Sequence, residues 1–218
     1  KTIEGSDVYK INHAQGQPVE VSKDTLKVIK MGIEMGDLSG GMFDITIGKV
    51  SSLWNFNGDD PKVPEQSDLN DALTTVGYKN IVIDGSSVSL KNPRAELDLG
   101  GVAKGYIADR VCDYLEKQGV EKAVINLGGN VAVLGEKDKD TPWNIAIERP
   151  YSDRTEMMGY VSVKDATVVT SGIYERKFEQ DGVLYHHVLD PHTCYPVDSD
   201  LEAVTIPAAR GNSGFCDG

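Results

Sequence analysis

The chain has 218 residues, which is long enough to bury a hydrophobic core in one large domain or in two closely associated subdomains. Its formal net charge is −12 and it contains no cluster of Lys and Arg, so the composition argues against nucleic-acid binding, which requires a basic surface. No run of apolar residues approaches the roughly 20 that a membrane-spanning helix needs.

The cysteines and the chain ends say little about the class of protein or its cellular compartment. Cys112, Cys194 and Cys216 show no CxxC spacing, so they support neither a zinc site nor a disulfide framework. The chain begins at Lys1 and ends with GNSGFCDG, and we expect both ends to be cut from a longer protein. Under that expectation, the absence of a signal segment does not identify the compartment.

The first half of the chain predicts two helices. Apolar residues recur at helical spacing after Ser22 until Gly40-Gly41, which predicts a helix with Ser22 as its N-cap. The segment SDLNDALTTVG has the same organisation, with Ser67 as the predicted N-cap and Gly77 at the exit. Both segments are therefore expected to pack one apolar face against a core.

The remaining segments predict strands and one long helix. NIVIDGSSVSL predicts a hairpin that turns at Asp84-Gly85, and AELDL predicts a strand after it. The long helix is expected from Val102 to Gln118, with Gly119 ending it. Further strands are predicted in KAVINL, WNIAIE, GYVSV, ATVVT and EAVTI, with another hairpin in YERKFEQDGVLYHHVLD. The pattern predicts a mixed α/β fold of α+β-like character, with antiparallel sheets and packed helices in a single globular unit.

The segment ELDLGGVAKGYIADRV, residues 96–111, joins a predicted strand to the long helix through two glycines. A helix N-terminus presents unpaired N–H groups at the positive end of the helix dipole, and these can hold phosphate oxygens. The segment matches neither the dinucleotide-binding GxGxxG pattern nor the P-loop. These residues alone leave a phosphate site and a plain strand-to-helix turn both open. Asp98 and Lys104 are likewise compatible with a ligand site or with a solvated ion pair.

Three other segments contain glycines, and two of them also contain acidic residues. They are GGMFDITIGKVSSLWNF at 40–56, NLGGNVAVLG at 126–135 and TSGIYERKFEQDGVLYHHVLDPHTCYP at 170–196. The glycine pair of the second segment lies between two predicted strands, where we expect the backbone to approach another group closely. The third segment contains three of the four histidines.

In this order, the segments resemble those of the ApbE-type FAD:protein FMN transferases. The similarity covers nearly the whole chain and rests on GGxFD, LDLGGxAKGYxAD, SGxYER and HVLDPxTxYP taken together. Enzymes of this family attach FMN covalently to a threonine or serine of another protein, with FAD as substrate, Mg²⁺ as cofactor and AMP as the second product. The resemblance implies an ApbE-like fold and this transferase activity.

The resemblance also implies a set of residues that bind FAD: Met42, Phe43, Asp44, Asp98, Lys104, Ser171, Gly172 and Val188. Two of these assignments have a structural alternative. The Asp44 carboxylate could instead cap a turn, and Ser171-Gly172 could be a tight turn rather than part of a ligand site. Trp54 is expected to fill the core rather than to stack on the flavin.

The family's catalytic and metal-binding positions can also be located. His187, directly before VLDP, matches the histidine that acts as catalytic base, a role that imidazole suits near neutral pH. The carbonyl of Gly101 and the carboxylate of Asp217 match two magnesium ligands, and Mg²⁺ prefers such oxygen donors. A threonine ligand of the family would follow Gly218. His186, on the opposite face of the same predicted strand, is expected to be structural or to face solvent.

One residue departs from the family pattern, and one position of the family falls outside the sequence. Cys194 stands where the family usually has glycine, and we expect little effect beyond an oxidisable thiol. Relatives also place an aromatic residue upstream of SDVYKIN, where it packs the flavin ring. That position precedes the first residue of this sequence.

The resemblance implies two partners, FAD and an acceptor protein that carries the modified threonine or serine. The acceptor is expected to be a subunit of a membrane-bound electron-transfer complex, and the location to be extracytoplasmic, either periplasmic or membrane-anchored. Two other functions remain open. With water in place of the acceptor hydroxyl, the same site would hydrolyse FAD to FMN and AMP, and without turnover the protein would only bind FAD.

Overall fold

The computed structural model of the chain describes residues 3–152 and 156–210. Their contacts group into two compact units, formed by Lys1–Leu99 with Glu175–Asp198 and by Gly100–Tyr174 with Ser199–Gly218. The boundary between Leu99 and Gly100 divides the LDLGG motif. The expectation of a single globular domain stays a prediction, and the two units are described in turn.

Five α-helices and eleven strands occur in the described part of the chain. The helices are α1 (Asp7–His13), α2 (Lys23–Leu38), α3 (Gly48–Trp54), α4 (Gln66–Leu73) and α5 (Gly100–Lys117). The first strands are β1 (Val19–Glu20), β2 (Ile81–Asp84), β3 (Ser87–Leu90), β4 (Ala123–Leu127), β5 (Asn130–Leu134) and β6 (Trp143–Glu148). The others are β7 (Met157–Val163), β8 (Ala166–Gly172), β9 (Lys177–Gln180), β10 (Val183–His186) and β11 (Ala203–Ala209). All pairings between these strands are antiparallel, which confirms the predicted mixed α/β class with antiparallel sheets.

The first unit contains α1 to α4, a three-stranded sheet in the order β1-β3-β2, and the β9–β10 hairpin. Ser22 caps α2 as predicted, because its hydroxyl oxygen accepts a hydrogen bond from the N–H of Thr25 at 3.1 Å. One face of α1 and α2 packs on the sheet. The buried residues of this core are Ile11, Val21, Ile29, Ile45, Val88, Leu90, Ala95 and Leu97.

Helix α3 is held at both ends by distant parts of the first unit. At its start, the N–H of Gly48 donates to the carbonyl of Glu96 at 3.0 Å, and a Cβ on Gly48 would lie 2.5 Å from that oxygen. At its end, Trp54 is fully buried, and its indole Nε1–H donates to the carbonyl of Cys194 at 2.8 Å. A buried indole N–H needs such a partner, so the helix has little freedom to shift.

An aromatic cluster joins α3 to the β9–β10 hairpin. The ring centroid of Trp54 lies 5.5 Å from that of Tyr185 and 5.4 Å from that of Tyr195. Phe178 and Tyr185 are opposite each other on β9 and β10, and their rings stack with centroids 5.4 Å apart. Aromatic pairs at these distances contribute about 0.5–1.5 kcal/mol beyond the area that they bury, so the hairpin is firmly attached to the helix. The prediction that Trp54 fills the core is confirmed.

The second unit consists of a four-stranded sheet in the order β11-β8-β5-β4, a separate β6–β7 pair, and α5. Helix α5 packs on β4 and β5, where Ala108 and Cys112 meet Ala132 in a fully buried cluster. Gly119 has a φ of 80° and follows α5, as predicted for the residue that ends the helix. No helix in the described ranges is sufficiently long and apolar to cross a membrane.

Two helix boundaries differ from the prediction. Helix α4 begins at Gln66, so its N-cap is Glu65, whose carbonyl accepts the first helical hydrogen bonds, from the N–H groups of Asp68 and Leu69. Ser67 therefore lies inside the first turn, and its assignment as N-cap was wrong. Helix α5 begins at Gly100, two residues before the expected start.

The predicted strand AELDL does not form. Within the described residues its only β-bridge is a parallel one between Ile47 and Glu96, because α3 begins at the residue after Ile47 and leaves no partner strand. The hairpin that precedes this segment in the sequence does form, but it turns at Gly85-Ser86, since Asp84 is paired with Ser87.

The NLGGN segment is a tight hairpin. Leu127 pairs with Asn130, and between them Gly128 and Gly129 have φ values of 61° and 92°, as a type I′ turn requires. A Cβ on Gly128 would meet no heavy atom within 4 Å. The glycines therefore provide the backbone conformation of the turn, and the expected close approach of another group to this pair stays a prediction.

The close contact at the start of α3 leads to a test of stability. Replacing Gly48 by Ala would force a Cβ against the Glu96 carbonyl, and such overpacking typically costs about 1–3 kcal/mol of unfolding free energy. Gly159→Ala is the matched control, because a Cβ there would meet nothing within 4 Å. Urea unfolding of both variants measures the difference. Equal unfolding free energies for the two variants would show that α3 is not held at Glu96.

Candidate functional site

The segment after α2 contains the first predicted ligand-binding residues. Gly40 and Gly41 have φ values of 64° and 90°, and the N–H of Gly41 donates to the carbonyl of Gly36 at 2.8 Å, so the pair ends α2 with a left-handed turn. Beyond the turn, Met42 is 54% exposed, whereas Phe43 is half-buried and packs against the core between the helices and the three-stranded sheet of the first unit. Met42 therefore presents apolar surface, and Phe43 holds the segment in place.

Asp44 is buried, and both of its carboxylate oxygens accept hydrogen bonds from the chain. Oδ1 accepts from the N–H of Thr46 at 2.7 Å and from its hydroxyl at 2.5 Å, and Oδ2 accepts from the N–H of Tyr78 at 2.9 Å. The hydroxyl oxygen of Thr46 accepts from the N–H of Gly77 at 2.7 Å. Asp44 thus caps a turn, as one of its two interpretations expected. A direct contact between Asp44 and FAD stays a prediction.

An open cavity of about 410 Å³ lies next to Asp44 within the first unit. It is lined by Gly40, Gly41, Asp44, Leu73, Val76, Gly77, Tyr78, Lys79, Pro191 and His192. The Tyr78 hydroxyl donates to the Asp37 carboxylate at 2.9 Å, and burial together with this bond raises the pKa of Tyr78. Among the predicted site residues, Asp44 alone lines this cavity.

Asp98 is half-buried beside α3 in the first unit. Its backbone N–H donates to the carbonyl of Ile45 at 2.8 Å, which places it next to the segment that carries Met42 and Asp44. Its Oδ2 lies 3.0 Å from the hydroxyl oxygen of Ser51 on α3. The structure therefore brings together two parts of the predicted site that lie more than fifty residues apart in the sequence.

His187 follows β10 directly and is not part of the strand, because the pairing of β9 and β10 ends at His186. The N–H of His187 donates to the carbonyl of Arg176 at 3.1 Å, and its ring Nδ1 lies 3.3 Å from the same oxygen. A carbonyl oxygen only accepts hydrogen bonds, so in this arrangement Nδ1 carries the proton. The lone pair of the neutral ring is then on Nε2. Val188, the next residue, is half-buried.

His186 is buried, and its Nδ1 has no hydrogen-bond partner among the described residues. Burial lowers the pKa of His186 below its usual range, and a hydrogen bond with the backbone of Val197 acts in the opposite direction. Of the two roles expected for this residue, the structural one is confirmed and exposure to solvent was wrong.

The turn after His187 explains the glycine that the family pattern has at position 194. Cys194 has a φ of 62°, in the left-handed region that glycine adopts most readily, while its N–H donates to the carbonyl of Asp190 at 2.8 Å. The Cys194 side chain is fully buried, and burial raises the pKa of its thiol to about 11. Because the thiolate is the form that oxidises, this burial disfavours oxidation, and the expected oxidisable thiol stays a prediction.

The remaining predicted residues belong to the second unit. Gly101 and Lys104 lie at the beginning of α5, and both are half-buried. Ser171 and Gly172 form the end of β8, paired with Val204 and Ala203 of β11, so their interpretation as a tight turn was wrong. A ligand-binding role for these four residues stays a prediction.

Comparison with known proteins identifies the family to which these elements belong. The sequence profile of the ApbE family matches residues 1–218. The chain belongs to the ApbE family. The resemblance of the motifs to this family is therefore confirmed.

Named members of the ApbE family are similar in sequence. An FAD:protein FMN transferase of Klebsiella pneumoniae is 43% identical over 92% of this chain, and one of Vibrio cholerae is 35% identical over 89%. The chain spans 63% and 59% of the lengths of these two proteins.

Solved ApbE structures share the fold. The crystal structure of the ApbE protein from Thermotoga maritima matches with a TM-score of 0.90 and 36% identity, over 99% of this chain and 71% of that one. The flavin transferase ApbE from Vibrio cholerae matches with a TM-score of 0.81 and 32% identity, over 96% and 68% of the two chains. The expected ApbE-like fold is confirmed.

The magnesium site expected for an ApbE protein is not made up by the described residues alone. Within residues 3–152 and 156–210, no three His, Cys, Asp or Glu side chains come together in a way that could hold a metal ion. Asp217, one of the two predicted ligands, lies outside the described residues. Gly101 lies in the first turn of α5, and its role as a magnesium ligand stays a prediction.

The sequence analysis missed residues that shape the site without belonging to a recognised motif. Ser51 contacts Asp98, and Tyr78 binds Asp44 through its N–H. The Asp-x-Thr pattern of Asp44 and Thr46 is typical of a side chain that accepts a hydrogen bond two residues on, so it offered a local signal. The contacts of Ser51 and Tyr78 had no such signal, because they join residues 47 and 34 positions apart.

The buried His186 predicts a loss of stability in acid. Its folded pKa is lowered, so below about pH 6.5 the unfolded chain binds a proton that the folded chain does not, and unfolding free energy falls by at most about 1.4 kcal/mol per pH unit. His186→Phe should reduce this slope between pH 6.5 and 5, because it removes the buried imidazole. Urea unfolding at pH 7, 6 and 5 measures the slopes. A slope that His186→Phe leaves unaltered would contradict the assignment.

Proposed function

We propose that the protein transfers FMN from FAD to a threonine or serine hydroxyl of an acceptor protein and releases AMP. The observation that carries this proposal is the match to the ApbE family over residues 1–218. The names of its relatives, FAD:protein FMN transferase, support it further. The motifs for catalysis and for FAD binding also occur in the order expected for the family.

In the proposed reaction, His187 is the general base. The Arg176 carbonyl holds the Nδ1–H of its ring, so Nε2 takes the proton of the acceptor hydroxyl. The hydroxyl oxygen attacks the phosphorus of the FMN moiety and forms a new P–O bond. The P–O bond to the AMP moiety breaks, and AMP leaves with the bonding electrons.

The FAD-binding residues have distinct chemical roles in this proposal. Met42 offers apolar contact surface, the Asp98 carboxylate accepts hydrogen bonds from FAD, and the Lys104 ammonium attracts phosphate oxygens. Gly101 lets a phosphate approach the first turn of α5 without a side chain in between. On resemblance to the family, four further residues are also proposed to contact FAD: Phe43, Ser171, Gly172 and Val188. Asp44 is included as well, since it fixes the turn behind Met42.

The proposal also includes a metal ion, an acceptor class and a location. When bound through the Gly101 carbonyl and the Asp217 carboxylate, Mg²⁺ would neutralise charge on the pyrophosphate. The acceptor is proposed to be a subunit of a membrane-bound electron-transfer complex, and the location to be extracytoplasmic. Resemblance to the family is the support for these three statements.

One assay distinguishes transfer from the alternatives. The full-length protein is incubated with FAD, Mg²⁺ and a threonine-containing acceptor peptide, and the products are measured by mass spectrometry. We expect the peptide to gain FMN while AMP appears, and a peptide with alanine in place of the threonine to remain unmodified. Free FMN and AMP without peptide modification would identify a hydrolase, and FAD that remains intact for hours would identify a binding protein.

Removing the proposed base separates chemistry from binding. His187→Ala should slow single-turnover FMN transfer by about 10²–10⁴-fold, the usual contribution of general-base catalysis, with little change in FAD affinity. The rate should also fall in acid for the unmodified enzyme, because an imidazolium ring has no lone pair to accept the proton.

His13→Ala is the matched control for this variant, since His13 is an exposed histidine of the same unit. His186→Ala is a poor control, because its buried side chain would leave a cavity. If His187→Ala transferred FMN at the rate of the control, another residue would be the base.

A further inference from the structure

Ser51 lies one turn from the start of a helix whose position is fixed at both ends. Gly48, at the start of α3, is in contact with the Glu96 carbonyl, and Trp54, at the end, is hydrogen-bonded to the Cys194 carbonyl. The hydroxyl of Ser51 is therefore carried by one of the best anchored backbones of the first unit. A side chain in such a position can set the orientation of its neighbour.

The neighbour is the side chain of Asp98. The Ser51 hydroxyl oxygen lies 3.0 Å from Oδ2 of Asp98 and 3.1 Å from the carbonyl oxygen of Gly48. A serine hydroxyl has one hydrogen to donate, and a bond to a carboxylate is stronger than a bond to a neutral carbonyl. The geometry therefore favours donation to Asp98.

The backbone of Asp98 is fixed independently of Ser51. Its N–H donates to the Ile45 carbonyl at 2.8 Å, so the position of its backbone does not depend on the bond from Ser51. Rotation about χ1 and χ2 decides where the second carboxylate oxygen points. The bond from Ser51 acts on this rotation.

We propose that Ser51 is a positioning residue for FAD binding, which orients the Asp98 carboxylate through a hydrogen bond to Oδ2. The proposal rests on the proposed function, in which Asp98 contacts FAD. Ser51 itself need not touch the substrate. Its contribution is to remove the cost of ordering the Asp98 side chain when FAD binds.

The chain offers a matched control in the next residue. Ser52 is also on α3, and its hydroxyl donates to the same Gly48 carbonyl at 2.9 Å. Ser52→Ala therefore removes a hydroxyl from the same turn of the same helix while leaving the bond between Ser51 and Asp98 in place. Loss of helix stability would affect both serine variants alike.

Kinetic measurements on the full-length enzyme test the role of the hydroxyl. Ser51→Ala should raise the Kd and KM for FAD by about 3- to 10-fold, the range expected when one side chain must be ordered on binding. The kcat should change by less than about 2-fold, because the chemical step does not involve Ser51. Ser52→Ala should match the unmodified enzyme in all three constants.

A second pair of variants isolates the hydroxyl from the shape of the side chain. Ser51→Thr keeps the hydroxyl, whereas Ser51→Val has a methyl group in its place. Threonine and valine are both β-branched and have nearly the same size, so the two variants differ only in the hydroxyl. FAD affinity should be retained in Ser51→Thr and weakened in Ser51→Val. Equal affinities in this pair, or a weakened Ser52→Ala, would overturn the proposal.

A crystal structure of Ser51→Ala without FAD separates this proposal from the proposed function. We expect the Asp98 side chain to leave the rotamer that it adopts beside Ser51. An unchanged rotamer would overturn the positioning role, whether or not the protein binds FAD. Failure of the unmodified enzyme to bind FAD would contradict the proposed function alone, since the rotamer comparison would still decide the role of Ser51.

Discussion

The hydrogen bond from the Trp54 indole to the Cys194 carbonyl is the constraint on which the first unit depends. It joins residues 140 positions apart, and its donor is the N–H of a fully buried indole ring. A large buried ring with an unpaired N–H would be costly, so the turn that contains Cys194 must present its carbonyl at this point. The left-handed backbone of Cys194 is part of the conformation that achieves this. Helix α3 and the β9–β10 hairpin are thereby held together, and with them Asp98 and His187.

Local patterns predicted much of the fold because their physical causes are local. The cap at Ser22, the glycine after α5 and the turn of the β9–β10 hairpin each depend on a few neighbouring residues. The prediction failed where a tertiary contact decided the result. AELDL has the alternation of a strand, but α3 begins at Gly48 and leaves it a single bridge. Ser67 is a good N-cap residue, but the carbonyl of Glu65 already begins the helix.

The candidate site shows the same division between local and distant causes. Motifs located the residues that carry reactive or charged groups, such as His187 and Asp98, because chemistry restricts the residue types at those positions. They did not reveal the residues that hold these groups, since Ser51 and the Arg176 carbonyl act through position rather than through a special side chain. Tyr78 acts on Asp44 through its backbone N–H, which any residue except proline could provide.

The interruption of the first unit by the second has a consequence for synthesis of the chain. Trp54 leaves the ribosome with α3, but Tyr185 and the Cys194 carbonyl, with which it is finally buried, are made much later. At about 5–20 residues per second, the 140 positions between Trp54 and Cys194 correspond to roughly 7 to 28 s of translation. During this interval the ring can pack only against nearby residues such as Phe56 and Leu69, and its partners from the β9–β10 hairpin are absent. Burial of Trp54 is therefore completed only after the β9–β10 hairpin and the turn at Cys194 have been synthesised.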